Sequence, residues 1–431
     1  MRKSRAAALH RPLFVTVIAS CIFVGSSLCQ SAAAFTENTL HSFCSEKSCA
    51  DGGNPYGSVS MDSAGNLYGT TYAGGAHDAG VVFEIAAGTG QYSVLYNFCS
   101  VGLGNCGDGK SPDSVKLVID TAGNLYGTTE WGGIINGGVV FELVRSGSAW
   151  TETVLYSFCS KSRYCHDGGA PYVGLSYAGE ASGKPYDGQS LLYGTTYYGG
   201  TDTNGGVVFA VAPKKGMRKR EAVLYAFCSQ SNCTDGRQPD TPLYLDASGN
   251  IFGTTHGGGQ FSAGTVFELS PNGTTYTEAV LYSFCAQTNC TDGSQPSGGV
   301  IMDSSGNLFG TTEFGGDAAG DGVIFSLSPG AEWQYGVLAD FHGRDGSAPL
   351  GLLLDTGGNL IGTTLLGGAY KKGTVFEFNG SIQTLYDFCG LAICGNQPTA
   401  GMIQDSAGNL YGTTSSGANH RTSGIVFELS P

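Results

Sequence analysis

The sequence predicts an all-β protein, a seven-bladed β-propeller of four-stranded antiparallel blades closed by an N-terminal strand that completes the last blade. Three observations carry this reading. A Gly-Thr-Thr anchor recurs seven times, beginning at Gly69, Gly127, Gly194, Gly253, Gly310, Gly362 and Gly412, with spacings of 58, 67, 59, 57, 52 and 50 residues. Around every anchor the same alternating, β-branched and aromatic runs return in the same order, and no segment has a helical period. The chain also starts with one strand-like run too many and ends one short. Radial repetition of four-stranded meanders protects sheet edges, whereas the coils of a β-helix would be much shorter.

In chain order, residues 1–34 read as a cleaved signal peptide: Arg2, Lys3, Arg5 and Arg11 precede the apolar stretch Leu13 to Val24, and Ala32-Ala33-Ala34 offers small residues for cleavage. Lipidation at Cys21, after Ile18-Ala19-Ser20, is the alternative. Nothing later approaches roughly 18 consecutive apolar residues, so no transmembrane segment is expected in residues 35–431. The run Thr39-Leu40-His41-Ser42-Phe43 matches the fourth-strand run Val94-Leu95-Tyr96-Asn97-Phe98, while the chain stops at Gly424-Ile425-Val426-Phe427-Glu428-Leu429, a third strand. Residues 39–43 are therefore expected to complete the last blade.

The fifth copy shows the unit clearly. Gly299 to Met302 and Leu308 to Thr312 flank the turn Asp303-Ser304-Ser305-Gly306-Asn307, whose Asp, Gly and Asn suit a tight hairpin. A glycine-rich loop from Glu313 to Asp321 leads to Gly322 to Leu327, and Gln334 to Phe341 supplies the fourth strand. Copy three carries extra sequence near residues 177–189, expected to be a protruding loop. The basic run Lys214, Lys215, Arg218, Lys219 and Arg220 is expected at a solvated hairpin tip.

Of 14 cysteines, the 12 beyond the leader form six close pairs: Cys44 with Cys49, Cys99 with Cys106, Cys159 with Cys165, Cys228 with Cys233, Cys285 with Cys290, and Cys389 with Cys394. Copy six has Phe341-His342-Gly343-Arg344-Asp345-Gly346 instead and loses both members together. Disulfides in an oxidising compartment, extracellular or periplasmic, are the expectation. Zinc needs about four ligands, and no loop offers more than two cysteines and one histidine such as His166, so no metal is expected. Each loop is short, so a bridge should stabilise it by only about 2 kcal/mol.

The formal net charge is -14, and setting aside the leader's four bases, against no acid there, leaves -18. This argues against nucleic acid and anionic membranes as partners. The 70 glycines are offset by 41% hydrophobic residues, enough for a packed core, so the glycine is structural.

The run Gly-Asn-Leu-Tyr-Gly-Thr-Thr at 65–71, the Gly-Gly doublet at 74–75 and Gly-Val-Val-Phe-Glu at 80–84 resemble the bacterial Gloeo-Verruco, or GloVer, tandem repeat. The resemblance covers residues 36–431. It implies a secreted or cell-surface repeat protein without an established enzymatic activity. Many such proteins have a C-terminal sorting tail; this sequence departs from that pattern in ending at Pro431 directly after a strand, so surface anchoring is not expected from the resemblance. The Gly-Gly doublet is also weakly similar to kelch repeats.

In a propeller meander, the second-to-third-strand loops and the blade-to-blade connections emerge on one face. That face is the expected binding surface. Immediately after the anchors stand Tyr72, Glu130-Trp131, Tyr197-Tyr198, His256 and Glu313-Phe314, then Leu365-Leu366 and Ser415-Ser416, which differ while the frame repeats. The candidate ligand residues are Tyr72, Glu130, Trp131, Tyr197, Tyr198, His256, Glu313 and Phe314, with Trp131 the foremost; packing against the next blade is the alternative use of each aromatic. Glu130 and Glu313 lie three blades apart, too far for a glycosidase pair unless both lean over the axis. Asp62, Asp120, Asp246, Asp303, Asp355 and Asp405 recur as hairpin caps, and Asp51, Asp108, Asp167, Asp235, Asp292 and Asp345 as turn residues in the cysteine loops. No catalytic triad, nucleotide motif or cofactor motif appears. The expected function is a monomeric, exported, non-catalytic binding module for an extracellular protein or glycan. A polysaccharide hydrolase or lyase at the channel mouth and an architectural envelope or adhesion component are the rivals. The hydrolase requires ionisable groups converging on the axis with perturbed pKa values.

Overall fold

The computed structural model describes residues 35–431, apart from 103, 105, 114, 148, 161–163, 202, 214–220, 390–394 and 418–422. The expected leader with Cys21, the basic run from Lys214 to Arg220, and Cys394 all lie outside the described residues.

Seven antiparallel sheets follow one another in sequence. The first is built from Ser60–Met61, Leu67–Thr71, Val81–Ile85 and Tyr92–Asn97, in that spatial order. The seventh takes Ile403–Gln404 with Asn396–Pro398, Leu410–Ser416 and Ile425–Ser430 from the end of the chain, and its outer strand, Thr36–Ser42, from the beginning. Thr36 lies opposite Ser430 and Ser42 opposite Ile425, so the ring closes as expected, with a closing strand that begins three residues earlier than Thr39.

The anchor motif has a separate physical reason for each residue. Its glycine lies opposite the phenylalanine of the third strand: a Cβ on Gly310 would sit 2.5 Å from Phe325, and one on Gly253 2.6 Å from Phe267. In four copies the first threonine ties one blade to the next, as Thr128 Oγ1 donates to the Val173 carbonyl at 2.9 Å and Thr413 Oγ1 to that of Gly57 at 2.8 Å. The second threonine braces its own loop: Thr129 Oγ1 donates to the Trp131 carbonyl at 2.8 Å and accepts the Val139 N–H at 3.3 Å.

Between blades, the phenylalanine that ends each fourth strand meets the third-strand phenylalanine of the next blade edge-on. These pairs run from Phe98–Phe141 at 5.2 Å round to Phe388–Phe427 at 5.2 Å, and Phe43–Phe83 at 5.2 Å joins the two ends of the chain. Edge-on aromatic pairs of this kind contribute beyond their buried area.

The aspartates do what their recurrence implied. Asp303 accepts the N–H groups of Ser305 and Asn307 and the Asn307 side-chain amide. Asp235, fully buried, accepts the Ser229 and Gln230 N–H groups, the Ser229 hydroxyl and the Tyr225 hydroxyl.

Among the described residues five cysteine pairs are disulfides, namely Cys44–Cys49, Cys99–Cys106, Cys159–Cys165, Cys228–Cys233 and Cys285–Cys290. Such bridges form and persist in an oxidising environment. Among the described residues no helix is long and apolar enough to cross a membrane.

The extra sequence of copy three corrects the expectation of a protruding loop. It folds back over blade two, where Tyr186 is 1% exposed, its ring centroid 5.3 Å from that of Tyr126, and its carbonyl accepts the Thr121 N–H. Lys116 and Glu180 form an ion pair at 3.0 Å over the same junction. Burying a tyrosine ring on a neighbouring blade outweighs the freedom of a solvated excursion.

Candidate binding site at the axial mouth

The glycine-rich loops and the cysteine loops share one face, as expected, because they hydrogen-bond to each other. Gly75 N–H donates to the Cys49 carbonyl, Gly133 to Cys106, Gly200 to Cys165, Gly259 to Cys233 and Gly316 to Cys290. In copy six, where the cysteines are missing, Gly368 N–H donates to the Gly343 carbonyl in the same way. The disulfide is thus an addition to a loop that the backbone already organises.

Two series of non-repeated side chains sit on this face near the inner strands. The first follows the anchors: Tyr72, Glu130, Tyr197, His256 and Glu313. The second follows a repeated proline just before each inner strand: Tyr56, Asp113, Tyr172 and Asp240. The residue before that proline is held in the left-handed region in every copy, including Asn54 at φ 57° and Gln238 at φ 58°. Non-glycine residues resist that conformation, so the strain must be held by the surrounding frame. Part of that hold is visible: the Asn54 carbonyl accepts the Tyr72 N–H and the Gln238 carbonyl the His256 N–H, fixing both series to one rigid turn.

Within a blade the two series pack together, and Glu130 of the second blade reaches Tyr72 of the first and Tyr172 of the third. Tyr56 and Tyr72 have ring centroids 5.5 Å apart, Tyr172 and Tyr197 5.0 Å, and Tyr197 and Tyr198 4.7 Å. Glu130 is 5% exposed, and donors on Tyr172, Tyr72 and Trp131 reach its carboxylate. Burial pushes its pKa up despite these donors. In the fourth blade, His256 Nδ1 lies 3.7 Å from Asp240 Oδ2. Burial, and then the Arg237 charge, push the His256 pKa down. Asp240 Oδ1 is sealed from solvent without a hydrogen-bond partner, although a quarter of the side chain remains accessible. Burial, with the charge of Glu313 added, raises the Asp240 pKa to about 7. Burial alone raises that of Glu313.

Of the residues named from sequence, the structure brings Tyr72, Glu130, Trp131 and Tyr197 into one cluster with Tyr198 at its edge, and places His256 and Glu313 in a second around Asp240. Phe314 stands apart, 46% exposed and without an aromatic contact among the described residues. No described contact joins Glu130 to Glu313. Tyr56, Asp113, Tyr172 and Asp240 were not anticipated; their signal is a residue type that varies after an invariant proline. Among the described residues no group of three or more His, Cys, Asp or Glu is arranged to hold a metal ion.

A separate cavity of about 450 Å³ opens at the inserted segment of copy three, lined by Asp120, Asn124, Tyr126, Glu142, Asp187 and Gln189 among others. Its acids are already engaged, Asp120 by Ala122, Asn124 and Tyr126 and Asp187 by Gln189 and Ser190. The mouth, where Asp240 Oδ1 is buried without a hydrogen-bond partner, is the stronger candidate.

The Gloeobacter/Verrucomicrobia repeat profile matches residues 30–186 and 279–431. The chain belongs to the Gloeobacter/Verrucomicrobia repeat family. The intervening residues complete the third blade and form the fourth on the same family plan. No curated protein sequence matches the chain. Solved structures similar to this member of the family include a gluconolactonase from Xanthomonas campestris, with 13% identity over 92% of this chain and 89% of the other and a TM-score of 0.40. A puromycin-hydrolysing peptidase from Mycobacterium tuberculosis has 9% identity over 86% of this chain and 52% of the other, with a TM-score of 0.48.

The raised Asp240 pKa makes a prediction with a definite sign. The folded state binds a proton that the unfolded chain, with its ordinary pKa of 3.8, has released, so stability falls as pH rises from about 4 through about 7. Asp240→Asn is expected to exceed the wild type in stability by on the order of 1 kcal/mol at pH 8. Below pH 4 the two should converge, as thermal melts at both pH values would show.

Proposed function

We propose that the protein is an exported binding module that takes a glycan at the axial mouth. The observation that carries this is the meeting of unlike side chains from successive blades, Tyr72, Glu130, Tyr172 and Tyr197, at one end of a frame that otherwise repeats. Half-buried tyrosine and tryptophan rings beside fixed carboxylates suit the apolar faces and hydroxyls of a sugar. The disulfides support export, and the basic-apolar-small order of residues 1–34 agrees with it. The test is a glycan array probed with residues 35–431, with Trp131→Ala and Glu130→Gln in parallel. Saturable binding weakened about tenfold or more by either substitution is expected; a blank array from folded protein would sink the reading.

A second reading, hydrolysis or lysis of a polysaccharide, is favoured by one observation: Asp240, with its pKa at about 7, stands beside His256 and feels Glu313. An acid that titrates near neutrality is suited to proton transfer. Release of new reducing ends from an array ligand, lost in Asp240→Asn, would support it, and an unaltered ligand after prolonged incubation would exclude it for that ligand.

A further inference from the structure

The mouth has an asymmetry of charge. Asp113, Glu130, Asp240 and Glu313 supply four carboxyl groups, against which Lys110 acts on Glu130, and Arg237 on His256 and Tyr197. His256 adds no charge while it is neutral. No described residue hydrogen-bonds or ion-pairs with the Glu313 side chain, and Asp240 Oδ1 is buried without a partner. Two acids that repel each other, in a place partly closed to water, are costly unless a proton or a cation lies between them. The aromatic sector is continuous with this pair, because Tyr197 feels the Asp240 charge and packs edge-on against Tyr172. Aromatic faces attract cations as well as sugar rings. A metal ion is disfavoured, since the described acids and His256 do not form a metal-holding group.

Resting on the reading of the mouth as a glycan site, we propose that its ligand is an amino sugar whose protonated amine lies against Asp240 and Glu313 while its ring packs on Tyr172 and Tyr197. The amine then supplies the charge and the donors that these acids lack, and the sugar ring lies along the tyrosines that lead to Glu130. An N-acetylated sugar has the same ring but brings a neutral amide to the two acids, so acetylation should weaken binding.

The experiment is calorimetric titration of residues 35–431 with a fully deacetylated glucosamine oligosaccharide and with its N-acetylated counterpart at the same chain length and ionic strength. The deacetylated oligomer is expected to bind about tenfold or more tightly. Asp240→Asn and Glu313→Gln, each checked for native near-ultraviolet dichroism, should each reduce that preference, while Lys371→Ala on an outlying loop should leave it unchanged. Equal binding of the two oligomers would overturn the amine assignment and leave the glycan site standing. Binding of neither would overturn the assignment, and together with a blank array it would overturn the glycan reading as well.

Discussion

Replacing Phe43 by alanine is expected to destabilise the protein by about 3–5 kcal/mol, the usual cost of emptying a fully buried phenylalanine site. Phe43 has no exposed surface, and its ring meets that of Phe83 edge-on at 5.2 Å, the junction where the last blade touches the first. Phe284 makes the same kind of contact with Phe325 at 5.2 Å, so Phe284→Ala should cost a similar amount. The two variants should differ in how they open. Phe284 ends a strand whose sheet partners are close in sequence, whereas the closing strand Thr36–Ser42 pairs with Ile425–Ser430 at the far end of the chain. Phe43→Ala should therefore expose the N-terminal strand to protease under native conditions, and Phe284→Ala should not. Denaturant melts and limited proteolysis check both statements, and a loss below about 1 kcal/mol in Phe43→Ala would contradict the closure described above.

Asp235→Ala is expected to cost about 3 kcal/mol, because it takes a shared, fully buried acceptor from four part-buried donors at once. The Ser229 and Gln230 N–H groups and the hydroxyls of Ser229 and Tyr225 all point at that carboxylate. The Cys228–Cys233 bridge in the same loop spans only five residues of separation, and opening it should cost about 2 kcal/mol or less. The ranking is the test: urea midpoints for Asp235→Ala and for the Cys228→Ser, Cys233→Ser pair should place the aspartate variant lower. The native loop of copy six, which has Asp345 and no cysteines, already follows this order of importance.

Much of the frame was legible in the sequence because it repeats. An anchor such as Gly310-Thr311-Thr312 recurs because physical demands recur: a glycine under a phenylalanine, a hydroxyl to its own loop and, at Thr128, Thr311, Thr363 and Thr413, a hydroxyl to the next blade. The closing strand was legible for the same reason, since Thr39 to Phe43 is a fourth-strand run out of place. Half of the mouth was legible as well, in Tyr72, Glu130, Tyr197, His256 and Glu313. The other half was hidden. Tyr172 and Asp240 follow an unremarkable Ala-Pro or Gln-Pro, and only the left-handed turn at Ala170 and Gln238 brings them in beside the first series. The inserted segment was legible as extra sequence but not as a cover, because the docking of Tyr186 on Tyr126 depends on how blade two and blade three meet.

The most direct test of the account is a comparison of mouth with rim in one binding assay, using the strongest ligand from the array. Tyr172→Ala and Glu130→Gln probe the mouth; Phe314→Ala and Tyr370→Ala, both at exposed positions, probe the rim of the same face. If the mouth is the site, the first two lose about tenfold or more in affinity with near-native melting behaviour, and the last two bind as the wild type does. Loss of binding in the rim variants with the mouth variants unaffected would contradict it and move the site outward onto the loop tips.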